Sequence, residues 1–338
     1  MANNSSTTIV ERIVIPHTAF AEAEQQIERC FTFSADKSDA EGLAIVGESG
    51  TGKTSVLKSF QSKHLPTRSS DGMEVPILCA SVPSTPTVKS LAGVMLEALG
   101  ATDCERGTEN EKSRRLRILM KNTGTRMVMI DEFQHFYDRG TRKIMHHVAD
   151  WLKLLIDDTR TTLVVAGLPS CRVVIDQNEQ LARRFLAPVQ LSRFSWRNLE
   201  QRGQFIAILK AFHKAIAKEY DVPQFFSEQM AFRFYLATGG LIGYLSKLLR
   251  QALRNATAEN RSAISLGDLD VAHRQAIWAN ETLPGLPRPF DHGFQLVEDA
   301  DMLDRVGKIG TTTALPEVPR MRKSRQQRES INSSLVAR

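Results

Sequence analysis

The chain has 338 residues, of which 42% are hydrophobic and 24% charged, and its formal net charge of +6 permits a nucleic-acid partner without requiring one. No apolar run approaches the roughly 18 residues that a membrane-spanning helix needs, and the first residues lack the layout of a signal peptide. For that reason we expect no membrane partner. Because the four cysteines are scattered without a C-x-x-C pair, we expect reduced thiols in a cytoplasmic protein.

The hydrophobic pattern alternates between strands and helices up to residue 195. Strands are predicted at 43–46, 75–80, 126–130, 162–166 and 187–191. Helices are predicted between them at 53–63, 87–99, 111–121 and 141–157. Because this alternation favours a mainly parallel sheet flanked by helices, we expect an α/β domain at 41–195, preceded by an N-terminal segment at 1–40.

The first strand leads into a glycine-rich loop. Residues 44–57 read AIVGESGTGKTSVL and match the pattern G-x-x-x-x-G-K-[ST]. The backbone N–H groups of such a loop and the following helix N-terminus hold phosphate oxygens. We expect Lys53 to reach the β- and γ-phosphates and the Thr54 hydroxyl to hold Mg²⁺. The predicted nucleotide-binding residues are Gly47, Glu48, Ser49, Gly50, Thr51, Gly52, Lys53, Thr54 and Ser55, and the alternative is a glycine-rich turn without a ligand.

Two acidic residues end the third predicted strand. The segment RMVMIDEFQHF places Asp131 and Glu132 at the carboxyl end of an apolar run, where ligands of open α/β sheets bind. Asp131 suits the Mg²⁺ shell, and Glu132 suits activation of an attacking water. The alternative is a pair of acids that merely starts a surface helix. A carboxylate that polarises water favours nucleotide hydrolysis over phosphate transfer to a metabolite hydroxyl.

Two arginines precede an aromatic residue just before the last predicted strand. They are Arg183 and Arg184 in NEQLARRFLAPVQL. An arginine supplied by a neighbouring subunit can stabilise the charge that develops on the transferred phosphoryl group. We predict that one of the two acts as such a finger and prefer Arg184, next to Phe185. The alternative is a surface arginine in an ordinary salt bridge.

Strand patterns end near residue 195. Residues 196–219, 226–237, 240–257 and 266–279 all have helical patterns, and we predict a small all-helical lid domain at 196–282. The remaining residues contain PGLPRP, the acidic VEDADMLD and the basic PRMRKSRQQR. Because this segment shows no pattern of a packed core, we expect 283–338 to be a partly disordered C-terminal tail.

The order and spacing of five motifs resemble one family of ATPases. GESGTGKT, MVMIDEFQHF, VADWLKLLIDDTRTTLVVAGLPS, NEQLARRF and LSRFSW look like the AAA+ ATPases called TnsC and TniB, the target-selection regulators of transposons with DDE transposases. The resemblance covers roughly residues 10–280. It implies an AAA+ P-loop fold, ATP and Mg²⁺ as cofactors, and a homo-oligomer, a helical filament or ring, on duplex DNA. It also implies recruitment of a DDE transposase, disassembly by ATP hydrolysis, and contact with a target-selector protein or a CRISPR-associated targeting complex.

The resemblance also assigns individual residues. A polar sensor is usual at the end of the strand TTLVVAG, and Ser170 is its candidate here. N-terminal segments of similar ATPases border the adenine, so we expect His17 to do so. Where many AAA+ proteins carry a sensor arginine on the lid, this chain has Gly243 and Tyr244, and Arg250 lies about two turns further on.

A filament on DNA needs cations facing phosphates, which provide affinity without reading sequence. The segment EKSRRLRILMKN places arginines beside an apolar stripe of a helix. The predicted DNA-binding residues are Lys89, Lys112, Arg114, Arg115 and Arg117, and the alternative is a solvated helix face.

These observations favour a AAA+ ATPase that regulates DNA transposition. Three other functions stay open on the sequence. The first is a AAA+ replication initiator or helicase loader, which would have the same nucleotide-binding residues. The second is a P-loop kinase of a small metabolite, and the third is a signalling ATPase that binds protein and no DNA.

Overall fold

A five-stranded sheet forms the centre of the first part of the chain. The computed structural model describes residues 9–10, 17–33, 41–70, 72–277, 285–295 and 297–311. The strands are β1 (Gly42–Gly47), β2 (Thr67–Ser69), β3 (Gly72–Glu74), β4 (Ile77–Ser81), β5 (Met127–Asp131), β6 (Thr162–Gly167) and β7 (Val189–Leu191). The sheet has the order β4-β5-β6-β1-β7, and all its pairs are parallel. The predicted parallel α/β sheet is therefore confirmed.

Helices cover both faces of this sheet. They are α1 (Thr18–Phe33), α2 (Lys53–Ser62), α3 (Val88–Ala98), α4 (Glu109–Asn122), α5 (His135–Asp138), α6 (Arg142–Thr159), α7 (Cys171–Ile175) and α8 (Glu179–Ala182). The central strands are buried on both faces, so their side chains divide between two hydrophobic clusters. One cluster packs against α1 and α2, and the other packs against α3, α4 and α6.

A helical bundle follows the sheet. Its helices are α9 (Leu199–Ile216), α10 (Glu228–Thr238), α11 (Ile242–Ala258), α12 (Leu266–Ala276) and α13 (Ala300–Val306). The side chains of Asn198, Ser227 and Ser265 cap three of these helices by accepting backbone N–H groups. Apolar residues at helical spacing form a separate core. This bundle is the helical lid domain that the sequence predicts next to the sheet.

The chain beyond residue 283 differs from the prediction of a tail without a packed core. Phe290, Leu303, Val306 and Ile309 are buried in the core of the lid. The acidic segment also has structural partners, because Trp196 donates its Nε1–H to Glu298 Oε1 at 2.8 Å. Leu303, Val306 and Ile309 recur every three residues, but this run is too short among its polar neighbours to predict the packing from the sequence pattern. The basic segment at 319–328 lies outside the described residues.

Three smaller features were also absent from the sequence-based prediction. Helix α1 packs under β1, β6 and β7, where Ala23 and Ile27 are buried. The antiparallel hairpin β2–β3 carries only exposed residues. The short helices α5, α7 and α8 are only four or five residues long. Among the helices of the described residues, none has the length and apolar character to cross a membrane.

Candidate nucleotide-binding site

The loop between β1 and α2 has the geometry of a phosphate cradle. Gly50 and Gly52 take left-handed backbone conformations, with φ of 81° and 99°, which a side chain would disfavour. Lys53 is only 9% exposed, and its Nζ donates hydrogen bonds to the carbonyl oxygens of Gly47 at 2.8 Å and Glu48 at 2.7 Å. The lysine therefore folds across the loop, where phosphate oxygens would replace the carbonyl acceptors.

Thr54 and Asp131 converge from two elements. The Thr54 hydroxyl at the start of α2 donates a hydrogen bond to Asp131 Oδ2 at the end of β5, over 2.6 Å. A hydroxyl and a carboxylate are oxygen ligands of the kind that Mg²⁺ prefers, and in nucleotide sites this ion takes further ligands from phosphates and water. The described residues hold no cluster of three or more His, Cys, Asp or Glu that would bind a metal without such help. The donor set thus fits Mg²⁺ delivered with a nucleotide.

Glu132 is positioned by the turn that follows β5. Its φ is 55°, an uncommon value for a residue with a side chain, and its backbone N–H donates to Asp131 Oδ1 at 2.8 Å. The Gln134 side-chain amide donates to Glu132 Oε2. The His135 Nε2 atom lies 3.9 Å from the same oxygen, and its Nδ1 atom lies 3.1 Å from the carbonyl oxygen of Val82. The turn therefore directs Glu132 into the space in front of the phosphate loop.

The lid touches the phosphate loop directly. Gly243, at the start of α11, donates its backbone N–H to the carbonyl oxygen of Gly50 at 2.8 Å. A Cβ added at Gly243 would lie 2.8 Å from Gly50 Cα, so the backbones can meet this closely only because residue 243 is glycine, whereas a Cβ at Gly50 would make an ordinary contact at 3.7 Å. A second link is Arg193, which pairs with Glu48 and donates to the Gly239 carbonyl at 3.3 Å. Loop and lid are therefore joined at two points.

A cavity with two adjoining lobes lies between the loop and the lid. The larger lobe, about 530 Å³, has apolar walls beside the loop, formed by Val10, His17, Phe20, Ile208, Phe212 and Ile242. The other lobe, about 420 Å³, is polar and contains Lys53, Thr54, Glu132, Gln134, Ser246 and Arg250. A flat heteroaromatic base suits the first lobe and phosphates suit the second. Ser55 and Arg250 line both lobes, and Glu48 lines neither.

Burial and nearby acids set the electrostatics of this cavity. Burial lowers the pKa of Lys53, while the negative charges of Glu132, Asp131 and Glu48 raise it in opposition. Burial also lowers the pKa of His17, which favours the neutral ring beside the apolar lobe. Cys171, behind the site, is a free thiol whose pKa is raised to about 12 by burial. This thiol is thus protonated at neutral pH and suited to packing.

The two candidate finger arginines have different surroundings. Arg184 is 20% exposed, and its guanidinium pairs with Asp157 on α6 at 2.6 Å. Arg183 is 75% exposed and, among the described residues, pairs with Glu179, one helical turn earlier, which is itself 78% exposed. A finger must reach a neighbouring subunit, and the exposed Arg183 gives up less to do so. The two arginines therefore differ in how strongly each is held within its own subunit.

The candidate DNA-binding cations do not form one exposed surface. Lys112 is 4% exposed and lies against Gly93 of α3, which corrects its prediction as a phosphate contact. Arg115 donates to the Thr102 carbonyl at 2.8 Å, and Arg117 pairs with Asp158 at 3.0 Å. Lys89 and Arg114 are exposed. Helical periodicity alone did not separate cations that pack on the protein from those that face solvent.

At the end of β6, the predicted sensor residue does not line the cavity, and a residue that was not predicted lies there. Ser170, the predicted sensor, has a buried Oγ atom without a hydrogen-bond partner among the described residues, and it does not line the cavity. Gln134 lies at this place instead, where its Oε1 atom accepts the Leu168 N–H at 3.2 Å. The motif DEFQ contains this glutamine, but its contact to β6 depends on tertiary packing.

The fold is similar to those of solved proteins named ORC and Cdc6. The ORC2 protein of Aeropyrum pernix in its ADP form is 12% identical, with a TM-score of 0.59 over 98% of this chain and 90% of that one. The A. pernix ORC1 protein in complex with DNA is 14% identical, with a TM-score of 0.56 over 90% and 85%. Cdc6p from Pyrobaculum aerophilum is 16% identical, with a TM-score of 0.55 over 83% and 74%. At such identities these similarities establish the AAA+ fold alone.

Sequence comparison identifies the family. No curated protein matches the chain significantly. The family model described as bacterial TniB protein matches residues 7–196, which is more than half of the chain and includes the phosphate loop, both acidic residues and both candidate finger arginines. The chain therefore belongs to the bacterial TniB family of AAA+ ATPases.

Proposed function

We propose that this protein is an ATP-dependent regulator of DNA transposition that oligomerises on duplex target DNA. In this proposal it recruits a DDE transposase to that DNA and uses ATP hydrolysis to leave it. The observation that carries the ATPase part is the meeting of Thr54, Asp131 and Glu132 in front of a phosphate loop that a helical lid touches. Membership of the TniB family supports the transposition part.

The nucleotide site supports binding and hydrolysis of ATP. The apolar lobe beside His17 would take the adenine, and the loop from Gly47 to Ser55, of which residues 49–55 line the cavity, would take the phosphates. Mg²⁺, held by Thr54 and Asp131, would neutralise charge on the phosphates. Glu132 would accept a proton from the attacking water. Arg250 would bring a cation from the lid to the polar lobe, which it lines. This arrangement supports hydrolysis over a metabolite kinase, because the carboxylate faces the polar lobe.

Oligomerisation would complete the site. Arg183 is exposed on the segment after α8, and Arg184 is held by Asp157. A neighbouring subunit that supplied Arg183 would stabilise the negative charge of the phosphoryl group in transfer. ATP hydrolysis would then depend on assembly, and assembly on duplex DNA would make the ATPase DNA-stimulated. Hydrolysis would then determine how long the oligomer remains on DNA.

The proposed partners, DNA and proteins of the transposition machinery, are inferred from a protein of similar fold and from the family. A relative of similar fold, the A. pernix ORC1 protein, is in complex with DNA, which supports duplex DNA as a ligand of this fold. We propose that Lys89 and Arg114 contribute to such binding, since both are exposed. The transposase and a target-selector protein or CRISPR-associated targeting complex are proposed from the family. The similarity to Cdc6 and ORC proteins favours a replication initiator or helicase loader as the second candidate.

Electron microscopy of the full chain with ATP, Mg²⁺ and duplex DNA tests this function. Filaments or rings that enclose DNA, form with ATP and dissolve when ATP is hydrolysed would support the proposal. Discrete rings that load a replicative helicase would support the second candidate. Phosphate transfer to a metabolite without stimulation by DNA would overturn both. Retention of purified DDE transposase on DNA coated with the protein, compared with bare DNA, tests the recruitment step.

A further inference from the structure

The Gln134 side chain connects the ends of two neighbouring strands. It is 6% exposed and follows β5, two residues after Glu132. Its Oε1 atom accepts the backbone N–H of Leu168, the residue after β6, at 3.2 Å. Its Nε2 atom donates to Glu132 Oε2. One amide therefore connects the acid at the end of β5 to the backbone at the end of β6.

These two contacts fix the orientation of the amide. A backbone N–H can only donate, so the amide oxygen must face Leu168 and the NH₂ group must face the carboxylate. The opposite orientation would place two donors together at Leu168 and two acceptors together at Glu132. The polar arrangement thus requires a glutamine, since the nearly isosteric glutamate has no NH₂ group to offer.

The neighbouring residues leave room for this side chain. A Cβ added at Gly167 would collide with Gln134 Oε1 and would lie 2.5 Å from Cys171 Sγ. Gly167 therefore has a steric role that its ordinary backbone angles do not reveal. The Glu132 side chain, in contrast, is 45% exposed and faces the polar lobe. His135 Nε2 lies 3.9 Å from its Oε2 atom, beyond hydrogen-bond distance.

We propose that Gln134 is a positioning residue that holds Glu132 in the orientation required to accept a proton from water. This inference rests on the proposed role of Glu132 in ATP hydrolysis. A half-exposed carboxylate has several rotamers, and one hydrogen bond to a buried, fixed donor selects among them. The Gln134 side chain lies beside the end of β6, where the sequence suggested Ser170 as the polar residue.

The first test truncates the Gln134 side chain to a methyl group in the full chain. Gln134→Ala should lower kcat about 10- to 100-fold, the size expected for losing a hydrogen bond to a charged group, with little change in the Kd for ATP. Gln190→Ala is the matched control, because this glutamine is exposed on β7. Unchanged kcat in Gln134→Ala, or an equal loss in both variants, would overturn the inference.

A double-mutant cycle separates positioning from a purely structural effect. In the Glu132→Gln background, Gln134→Ala should cause no further loss of the single-turnover rate, because the group that it positions is already gone. An equal loss in both backgrounds overturns the inference. If Glu132→Gln itself hydrolyses ATP at the normal rate, the proposed function of Glu132 fails. If Glu132→Gln is inactive and Gln134→Ala is normal, only the role of Gln134 fails.

Gln134→Glu provides a second variant that keeps the shape of the side chain and the acceptor for Leu168. It places a new carboxylate beside Glu132, in a site that also contains Asp131, Lys53 and His135. Two adjacent carboxylates repel each other, so Glu132 should leave its orientation and kcat should fall at least as far as in Gln134→Ala. Thermal unfolding and ADP affinity should stay close to those of the parent. A kcat close to that of the parent would overturn the inference.

Discussion

The backbone N–H of Gly243 in the lid donates a hydrogen bond to the carbonyl oxygen of Gly50 in the phosphate loop, at 2.8 Å. The two residues are far apart in sequence, and a Cβ at Gly243 would lie 2.8 Å from Gly50 Cα. At this point the lid contacts the loop through backbone atoms. Movement of the loop on nucleotide binding would be transmitted to α11, which also carries Ser246 and Arg250 to the cavity.

Gly243→Ala should therefore displace the lid from the loop. We expect weaker ATP binding, by about 10-fold or more, because a Cβ at this distance forces the backbones apart. Isothermal titration with ATP measures the effect. Gly203→Ala is the matched control, since a Cβ added at Gly203 in α9 meets no atom within 4 Å. The control should bind ATP normally and gain about 0.5–1 kcal/mol of stability. Equal ATP affinities in both variants would contradict the proposed coupling.

Lys53→Ala should abolish ATP binding and, with it, assembly on DNA. The side chain is buried over the loop, and no other described lysine lines the polar lobe that would take the phosphates. Titration with a fluorescent ATP analogue measures the affinity. Lys63→Ala, just after the same helix, removes an exposed cation that pairs with Glu24 and should bind normally. Retained ATP affinity in Lys53→Ala would disprove the phosphate-loop assignment.

Glu132→Gln should keep ATP binding and lose hydrolysis. The amide preserves the shape but cannot take a proton from water, and the loss of general-base help costs about 10²–10⁴ in rate. Phosphate release measures hydrolysis, and electron microscopy should show assemblies that persist on DNA with ATP. Glu74→Gln, at an exposed acid on β3, serves as the control. A Glu132→Gln protein that fails to bind ATP would contradict the role assigned to this residue.

Arg183→Ala and Arg184→Ala should fail in different ways. Arg184 holds Asp157 in a partly buried pair, so its loss should lower the thermal unfolding temperature. Arg183 is exposed, so its loss should leave stability unchanged and lower assembly-dependent hydrolysis by up to about 10³-fold.

Mixing experiments identify the finger. Lys53→Ala supplies an intact finger without a working phosphate loop, and a finger variant supplies the opposite combination. Partial recovery of hydrolysis when Lys53→Ala is mixed with Arg183→Ala would identify Arg183. Recovery only with Arg184→Ala would instead return the role to Arg184. Two controls are needed. Each finger variant should bind ATP as a monomer, and Lys53→Ala should remain folded.

His273 should make the lid sensitive to acid. It is 2% exposed in the lid core, and burial lowers its pKa to about 4, below the value of 6.5 for the unfolded chain. Between pH 6.5 and pH 4 the unfolded state binds a proton that the folded state does not, so stability falls as the pH falls through this window. The full effect is about 3 kcal/mol below pH 4.

Denaturant unfolding at pH 7.5 and pH 4.5 tests this prediction. His273→Leu should lose less stability between the two pH values than the parent. His17, whose pKa is also lowered by burial, contributes equally to both proteins and cancels in the comparison. His292→Leu, at an exposed position, should behave like the parent. Equal acid sensitivity of the parent and His273→Leu would contradict the assignment.

Several elements of the fold follow from short-range patterns. The strands β1, β5 and β6 are continuous apolar runs, and buried parallel strands have this composition. The loop from Gly47 to Thr54 and the acids Asp131 and Glu132 each follow such a run directly. Because the carboxyl ends of parallel strands share one edge of a sheet, the pattern also brought the loop and the acids together.

Other features arise from contacts between distant segments. Local sequence determined the sheet, the phosphate loop, the acidic pair and the helical character of the lid, because each depends on the period of neighbouring residues or on a glycine-rich turn. Only the tertiary structure decided that Gln134 connects Glu132 to Leu168, that Gly243 meets Gly50, that Lys112 is buried and that Phe290 packs into the lid. These features depend on which surfaces meet in space, and no periodicity within one segment contains that information.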